Sequence, residues 1–105
     1  MGLKIEDYRA EIDIIDEELV RLLNIRARLA VEIGVLKRCA ALPLCDPDRE
    51  RDVLARACRA NDGPLDDGAV IKIFRHIIGE SRCVEARQAE SLTARRNGAA
   101  WRTGD

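Results

Sequence analysis

Aromatic residues are almost missing from this chain of 105 residues: Tyr8, Phe74 and Trp101 are the whole supply. With so few planar side chains there is no series of platforms on which bases could stack, which argues against a single-stranded nucleic acid ligand. A dominant charge is missing too. Eighteen Lys and Arg stand against nineteen Asp and Glu, a net charge of -1, so no overall field draws the protein to a polyanion or to an anionic membrane. There is one histidine, His76, and the cysteines Cys39, Cys45, Cys58 and Cys83 contain no C-x-x-C pair. The ligand spacing of a structural zinc site is therefore absent, and no metal is expected. The thiols are expected to be free and mostly buried. No apolar run could span a bilayer and the N-terminus lacks a signal-type core, which points to the cytoplasm. No segment alternates with period two, so no strand is expected.

Proline is scarce as well, and none precedes Pro43. The stretch from Lys4 to Arg38, with Gly34 its only interior glycine, is therefore free to form one uninterrupted helix. Its apolar residues recur at alternating steps of three and four: Ile5, Tyr8, Ile12, Ile15, Leu19, Leu22, then Leu29, Ile33 and Leu36. At 1.5 Å per residue such a rod measures roughly 50 Å, whereas a compact chain of this length has a diameter of roughly 33 Å. A seam that long needs a cover outside the monomer, and the simplest cover is the same helix of a second subunit.

One seam position is occupied by Arg26. A guanidinium there costs several kcal/mol if it is buried without an anion, and it cannot lose its proton to escape. Arg26 thus requires either a carboxylate of the protein or an anion that the protein binds.

A second helix is predicted at about 47–61, with Asp46 as N-cap, Pro47 in the first turn and an apolar face of Val53, Leu54, Ala57 and Cys58. Asn61-Asp62-Gly63-Pro64 ends it. A third follows at about 66–88, with Val70, Ile73, Phe74, Ile77 and Ile78 on one face that continues through Ser81, Val84 and Glu85. Residues 1–88 form the expected domain. Beyond it, periodicity fades, and 89–105 reads as a frayed helix end and a polar, flexible tail in which Trp101 makes at most a loose surface contact.

Polar residues in apolar places mark the candidate site. On the first helix, Ala30, Ile33 and Lys37 share the side of Arg26, and the two cations, about 16 Å apart along the axis, bracket a small apolar floor. Lys37 alone would pass for a solvated cation suiting the helix dipole. Arg9 lies about 25 Å from Arg26, too far to share a small ligand within one chain. It could complete a partner's site in an antiparallel pair, or simply be an exposed arginine paired with Asp13. Arg49 and Glu50 occupy the first turn of the second helix, and Ser81 and Glu85 extend the inner face of the third. Together these residues describe a cavity for a small dianion bearing a hydroxyl.

The segments IDIIDEELVRLLNIRARLAVEIGVLK (12–37), DPDRERDVL (46–54) and IFRHIIGESR (73–82) closely resemble the all-helical chorismate mutases, in the same order and spacing. That resemblance, over about residues 3–88, implies an all-α fold in which three helices intertwine into an antiparallel homodimer. It implies conversion of chorismate to prephenate, on the way to phenylalanine and tyrosine, with no cofactor and no metal. By the same resemblance Arg26 and the partner subunit's Arg9 match the substrate-carboxylate ligands, and Arg49 matches a further arginine. Lys37 matches the donor to the breaking ether oxygen, and Glu85 the second donor, a glutamine in some members. Glu50 matches the acceptor of the ring hydroxyl, with Asp46 beside it, and Ser81 a serine near a carboxylate.

Such a reaction needs no nucleophile or base. It needs the dianion held in its compact reactive conformer and donors aimed at the oxygen where negative charge grows. An ionised Glu85 would repel that oxygen, so this chemistry requires it protonated. A lyase of the same fold that removes pyruvate from isochorismate usually lacks the acidic residue that Glu50 matches, which counts against that alternative. A third expectation is a helical regulator docked on another shikimate-pathway enzyme, and a working mutase could dock in the same way. Many relatives are fused to a synthase, dehydratase or dehydrogenase, so the chain is expected to be either a free-standing mutase or a piece of a fusion.

Overall fold

The computed structural model describes the backbone of residue 2 and of residues 4–103, and side chains up to residue 89 and at 91. Three helices follow in order, α1 (Ile5–Cys39), α2 (Pro47–Ala60) and α3 (Asp67–Thr103), with no strand among the described residues. This is the all-α, three-helix chain expected.

Local chemistry sets the ends of each helix. The Asp7 carboxylate accepts from the Lys4 backbone N–H at 2.8 Å, and Lys37 and Arg38 put positive charge in the last turn of α1. That helix stops before Pro43 is reached. Ala41 takes φ 56°, its N–H donates to the Arg38 carbonyl at 3.1 Å, and the Leu42 N–H reaches back to the Lys37 carbonyl at 2.8 Å. This is the Schellman pattern, with alanine in the left-handed position usually given to glycine.

Asp46 caps α2 as predicted, its Oδ1 accepting from the Arg49 N–H at 3.0 Å, with Pro47 beginning the helix. At the other end the Asn61 side chain organises the turn. It accepts from the Gly63 N–H at 3.0 Å and donates to the Leu65 carbonyl at 2.8 Å and to Asp67 Oδ1 at 2.9 Å. Gly63, at φ 78°, is where the chain needs a residue without a Cβ. Asp66 then caps α3 by accepting from the Ala69 N–H at 2.7 Å.

Where α3 ends differs from expectation. The chain stays helical through Thr103 rather than fraying near residue 88. Loss of apolar periodicity removes a reason to pack but not a reason to coil: no proline follows Pro64, and alanine and arginine recur among residues 89–102. The Trp101 side chain lies outside the described residues.

Packing centres on α3, which lies against both α1 and α2. Val70, Ile78 and Ser81 of α3 are buried, as is Gly34 of α1. Val53, Leu54, Ala57 and Cys58 of α2 are half-buried against them, as are Phe74, Ile77 and Val84. Ile73, placed on the inner face by its spacing, is exposed in this chain. So are Cys39, Cys45 and Cys83; all four thiols are free, but only Cys58 is half-buried. The expectation of mostly buried thiols fails because Cys39 and Cys45 fall at the end of α1 and in the connection after it, where nothing packs over them in the chain.

The seam of α1 is largely uncovered. Tyr8, Ile12, Leu19 and Ile33 are each at least 50 % exposed, and Leu36 is 68 % exposed. The chain measures 74 × 31 × 15 Å with a radius of gyration of 19.3 Å, against about 13 Å for a compact chain of this length. Among the described residues no helix is long and apolar enough to cross a membrane.

Candidate active site

A cavity of about 310 Å³ opens between the C-terminal half of α1, the start of α2 and the middle of α3. Arg26, Lys37, Asp46, Arg49, Glu50, Ser81 and Glu85 all line it, together with Ala30 and Ile33, the predicted apolar floor. Candidates from the three helices, far apart along the chain, thus meet around one space.

Most of these side chains have a polar partner, some within one helix and some across two. Arg26 Nη1 donates to the buried Ser81 hydroxyl at 3.1 Å across the α1–α3 contact. No carboxylate stands within ion-pair distance of Arg26 among the described residues. The seam arginine thus has a neutral partner, and among the described residues no counter-charge pairs with it. Lys37 Nζ donates to the Leu44 carbonyl at 3.5 Å, a long contact that ties the lysine to the connection after α1. An ammonium has three donors, so this single weak bond leaves capacity for a ligand.

On α2, Asp46 serves both the helix and the cavity: one oxygen caps the first turn while the residue lines the wall. Arg49 pairs with Asp52 at 2.8 Å on an exposed surface. Glu50 is paired with Arg82 of α3. On α3, Glu85 lies over Gly34, close enough that a Cβ there would stand 3.5 Å from its Oε2. The carboxyl thus lies against α1 at a distance that an added Cβ would meet as ordinary van der Waals contact.

Arg9 is the candidate that does not join the others. It is exposed, does not line the cavity and pairs with Glu6 at 3.1 Å, rather than with Asp13. Pairs at i,i+3 and i,i+4 are equally available on a helix, so residue type alone did not decide between them. Two further participants were not singled out by the sequence. The Leu44 carbonyl carries no side-chain signal at all. Arg82 stands next to Ser81 but one step off the periodic face, where an arginine looks solvated; only its approach to Glu50 brings it into the site.

Comparison with known proteins places the sequence and the three-helix fold in a family. A family model described as chorismate mutase type II matches residues 8–86. A bifunctional chorismate mutase/prephenate dehydratase of Aquifex aeolicus is 40% identical over 88 residues, covering 80% of this chain and 24% of that protein. A chorismate mutase of Methanocaldococcus jannaschii is 28% identical over 90 residues, covering 83% of this chain and 89% of its own length. Among solved structures, chorismate mutase (form II) of Thermus thermophilus matches with a TM-score of 0.78 and 40% identity, over 80% of this chain and 96% of that one. The chain thus spans about a quarter of the length of the bifunctional relatives and most of the length of the others. With a match over most of its residues and the three-helix arrangement in common, the chain belongs to the type II chorismate mutase family.

Proposed function

We propose that this chain catalyses the rearrangement of chorismate to prephenate in phenylalanine and tyrosine biosynthesis. The observation that carries the proposal is Arg26, a permanent charge on the cavity wall whose partner is a hydroxyl rather than an anion. A substrate carboxylate supplies the missing charge. Arg26 and Arg49 hold the dianion in its folded conformer, which removes much of the entropic barrier to joining its two ends. Glu50, with Asp46 beside it, accepts from the ring hydroxyl, and Ser81 supports the carboxylate end through Arg26. Lys37 and the Glu85 carboxyl group donate to the ether oxygen as its bond breaks, an interaction stronger in the transition state than in the substrate. Purified protein given chorismate is expected to form prephenate, with isochorismate turned over slowly or not at all. Loss of chorismate without prephenate, or turnover of isochorismate alone, would defeat the proposal.

Glu85 is testable by exchanging the group it presents. The Glu85→Gln variant, whose amide keeps a donor at the same place, is expected to retain most of kcat/KM, whereas Glu85→Ala, which removes the donor, should lose about 100-fold. Equal losses in the two variants would remove Glu85 from the donor role.

The working unit proposed is an intertwined antiparallel homodimer, supported by the uncovered seam of α1 and by an arginine too distant for its own cavity. In that arrangement the partner subunit's Arg9 completes each site. Mixing and refolding Arg9→Ala with Arg26→Ala chains tests this directly. In the mixed dimer one site keeps both arginines and the other loses both, so about a quarter of the wild-type activity should return from two impaired proteins. An Arg9 acting within its own chain, or not at all, would give no such recovery. Docking of the mutase on another enzyme of the same pathway is supported by the bifunctional relatives, whose names join it to a prephenate dehydratase.

A further inference from the structure

Among the described residues, the ion pairs Arg9–Glu6, Arg21–Glu18, Arg49–Asp52 and Arg51–Asp48 each join residues three apart on one helix. The pair between Arg82 and Glu50 is different: it joins α3 to α2 at the wall of the cavity. Both side chains are partly open to water, 48 % exposed for Arg82 and 33 % for Glu50. A pair so placed adds little to stability, because solvent screens it and both side chains lose freedom to form it. It can nevertheless restrict the orientation of the carboxylate, since a glutamate at a cavity lip otherwise samples several rotamers.

The neighbouring position has a parallel role. Ser81, buried, accepts from Arg26 of α1. Consecutive residues of α3 thus each hold one polar group of the cavity, Ser81 a group from α1 and Arg82 a group from α2. α3 also packs against both other helices. Any shift of α3 along them moves both contacts together.

We propose that Arg82 is a positioning residue, holding the Glu50 carboxylate where it accepts the ring hydroxyl of the substrate. This rests on the function proposed above and adds to it a residue that touches Glu50 and not the reacting atoms. If Arg82 acts through its ion pair with Glu50, its effect must shrink once residue 50 carries no charge, whereas a direct substrate contact or a general packing role would persist in full.

The test is a cycle of kcat and KM for chorismate across wild type, Arg82→Ala, Glu50→Gln and the double variant, with Arg82→Lys and thermal unfolding alongside. Arg82→Ala is expected to lower kcat/KM about tenfold, with most of it recovered by lysine, which keeps the charge. In the Glu50→Gln background the same substitution should change kcat/KM by less than about twofold. The midpoint of unfolding of Arg82→Ala should stay within about 2 °C of wild type, as for an exposed pair. A loss undiminished in the Glu50→Gln background would assign Arg82 to the substrate itself, and a large drop in the midpoint would assign it to stability. Either overturns the proposal, as does an Arg82→Ala variant within twofold of wild type. Wild-type protein that forms no prephenate overturns the functional reading and this role with it, so the two failures are distinct.

Discussion

Replacing Arg26 with alanine is expected to lower kcat/KM for chorismate by about 100- to 3,000-fold. Removing one partner from a closed charge pair costs about 3–5 kcal/mol, because the remaining carboxylate is left without compensation, and each 1.4 kcal/mol is about tenfold in rate. The loss should not be recovered by raising substrate concentration alone if, as proposed, the guanidinium also fixes the reactive conformer. A stability effect accompanies it. Ser81 is buried and accepts from Arg26, so the truncation leaves a buried hydroxyl without that donor, a cost of about 1–3 kcal/mol. Circular dichroism at the assay temperature separates the two effects, and Arg26→Lys, which keeps charge without the planar fork, should fall between. A folded Arg26→Ala protein within about fivefold of wild type would remove Arg26 from the centre of the site.

Replacing Lys37 with alanine should act on the chemical step more than on binding. In the proposed role Lys37 donates to an atom that gains negative charge in the transition state, and deleting such a donor costs about 100- to 1,000-fold in kcat. KM should change by only a few-fold, since an ether oxygen in the ground state offers a weak acceptor. The tie to the Leu44 carbonyl, at 3.5 Å, is too long to carry much of the fold, so the variant should unfold near the wild-type midpoint. A rise in KM at unchanged kcat would instead place Lys37 at a substrate carboxylate, as a ground-state ligand.

Much of the fold could be seen along the chain. The seam from Ile5 to Leu36, the Asp46 cap with Pro47, and the Asn61 to Pro64 break all depend on residues within one or two turns of each other. Such contacts are carried by spacing and residue type, so they can be recognised without a fold. The end of α3 escaped for the same reason in reverse: periodicity reports which face packs, and the sequence of residues 89–103 carries no such period although the backbone stays helical through Thr103. Arg26 was visible because a charge in an apolar seam violates the pattern around it, and Lys37, Ser81 and Glu85 could be grouped by helical face. Arg82, off that face, violated nothing.

The sequence by itself determined three helices, their starts, the one seam position whose charge demands an anion, and the resemblance that gives that anion a chemistry. Only the tertiary structure decided what meets across helices. It put Ser81, 55 residues away in the chain, against Arg26, and Arg82 against Glu50, while leaving Arg9 outside the cavity of its own chain. The physical reason is range. Caps and amphipathic faces are settled by neighbours a few residues apart, whereas the partner of a side chain on another helix depends on how far the two helices have slid and turned against each other. A slide of one turn, about 5.4 Å, would exchange every such partner without altering a single local signal.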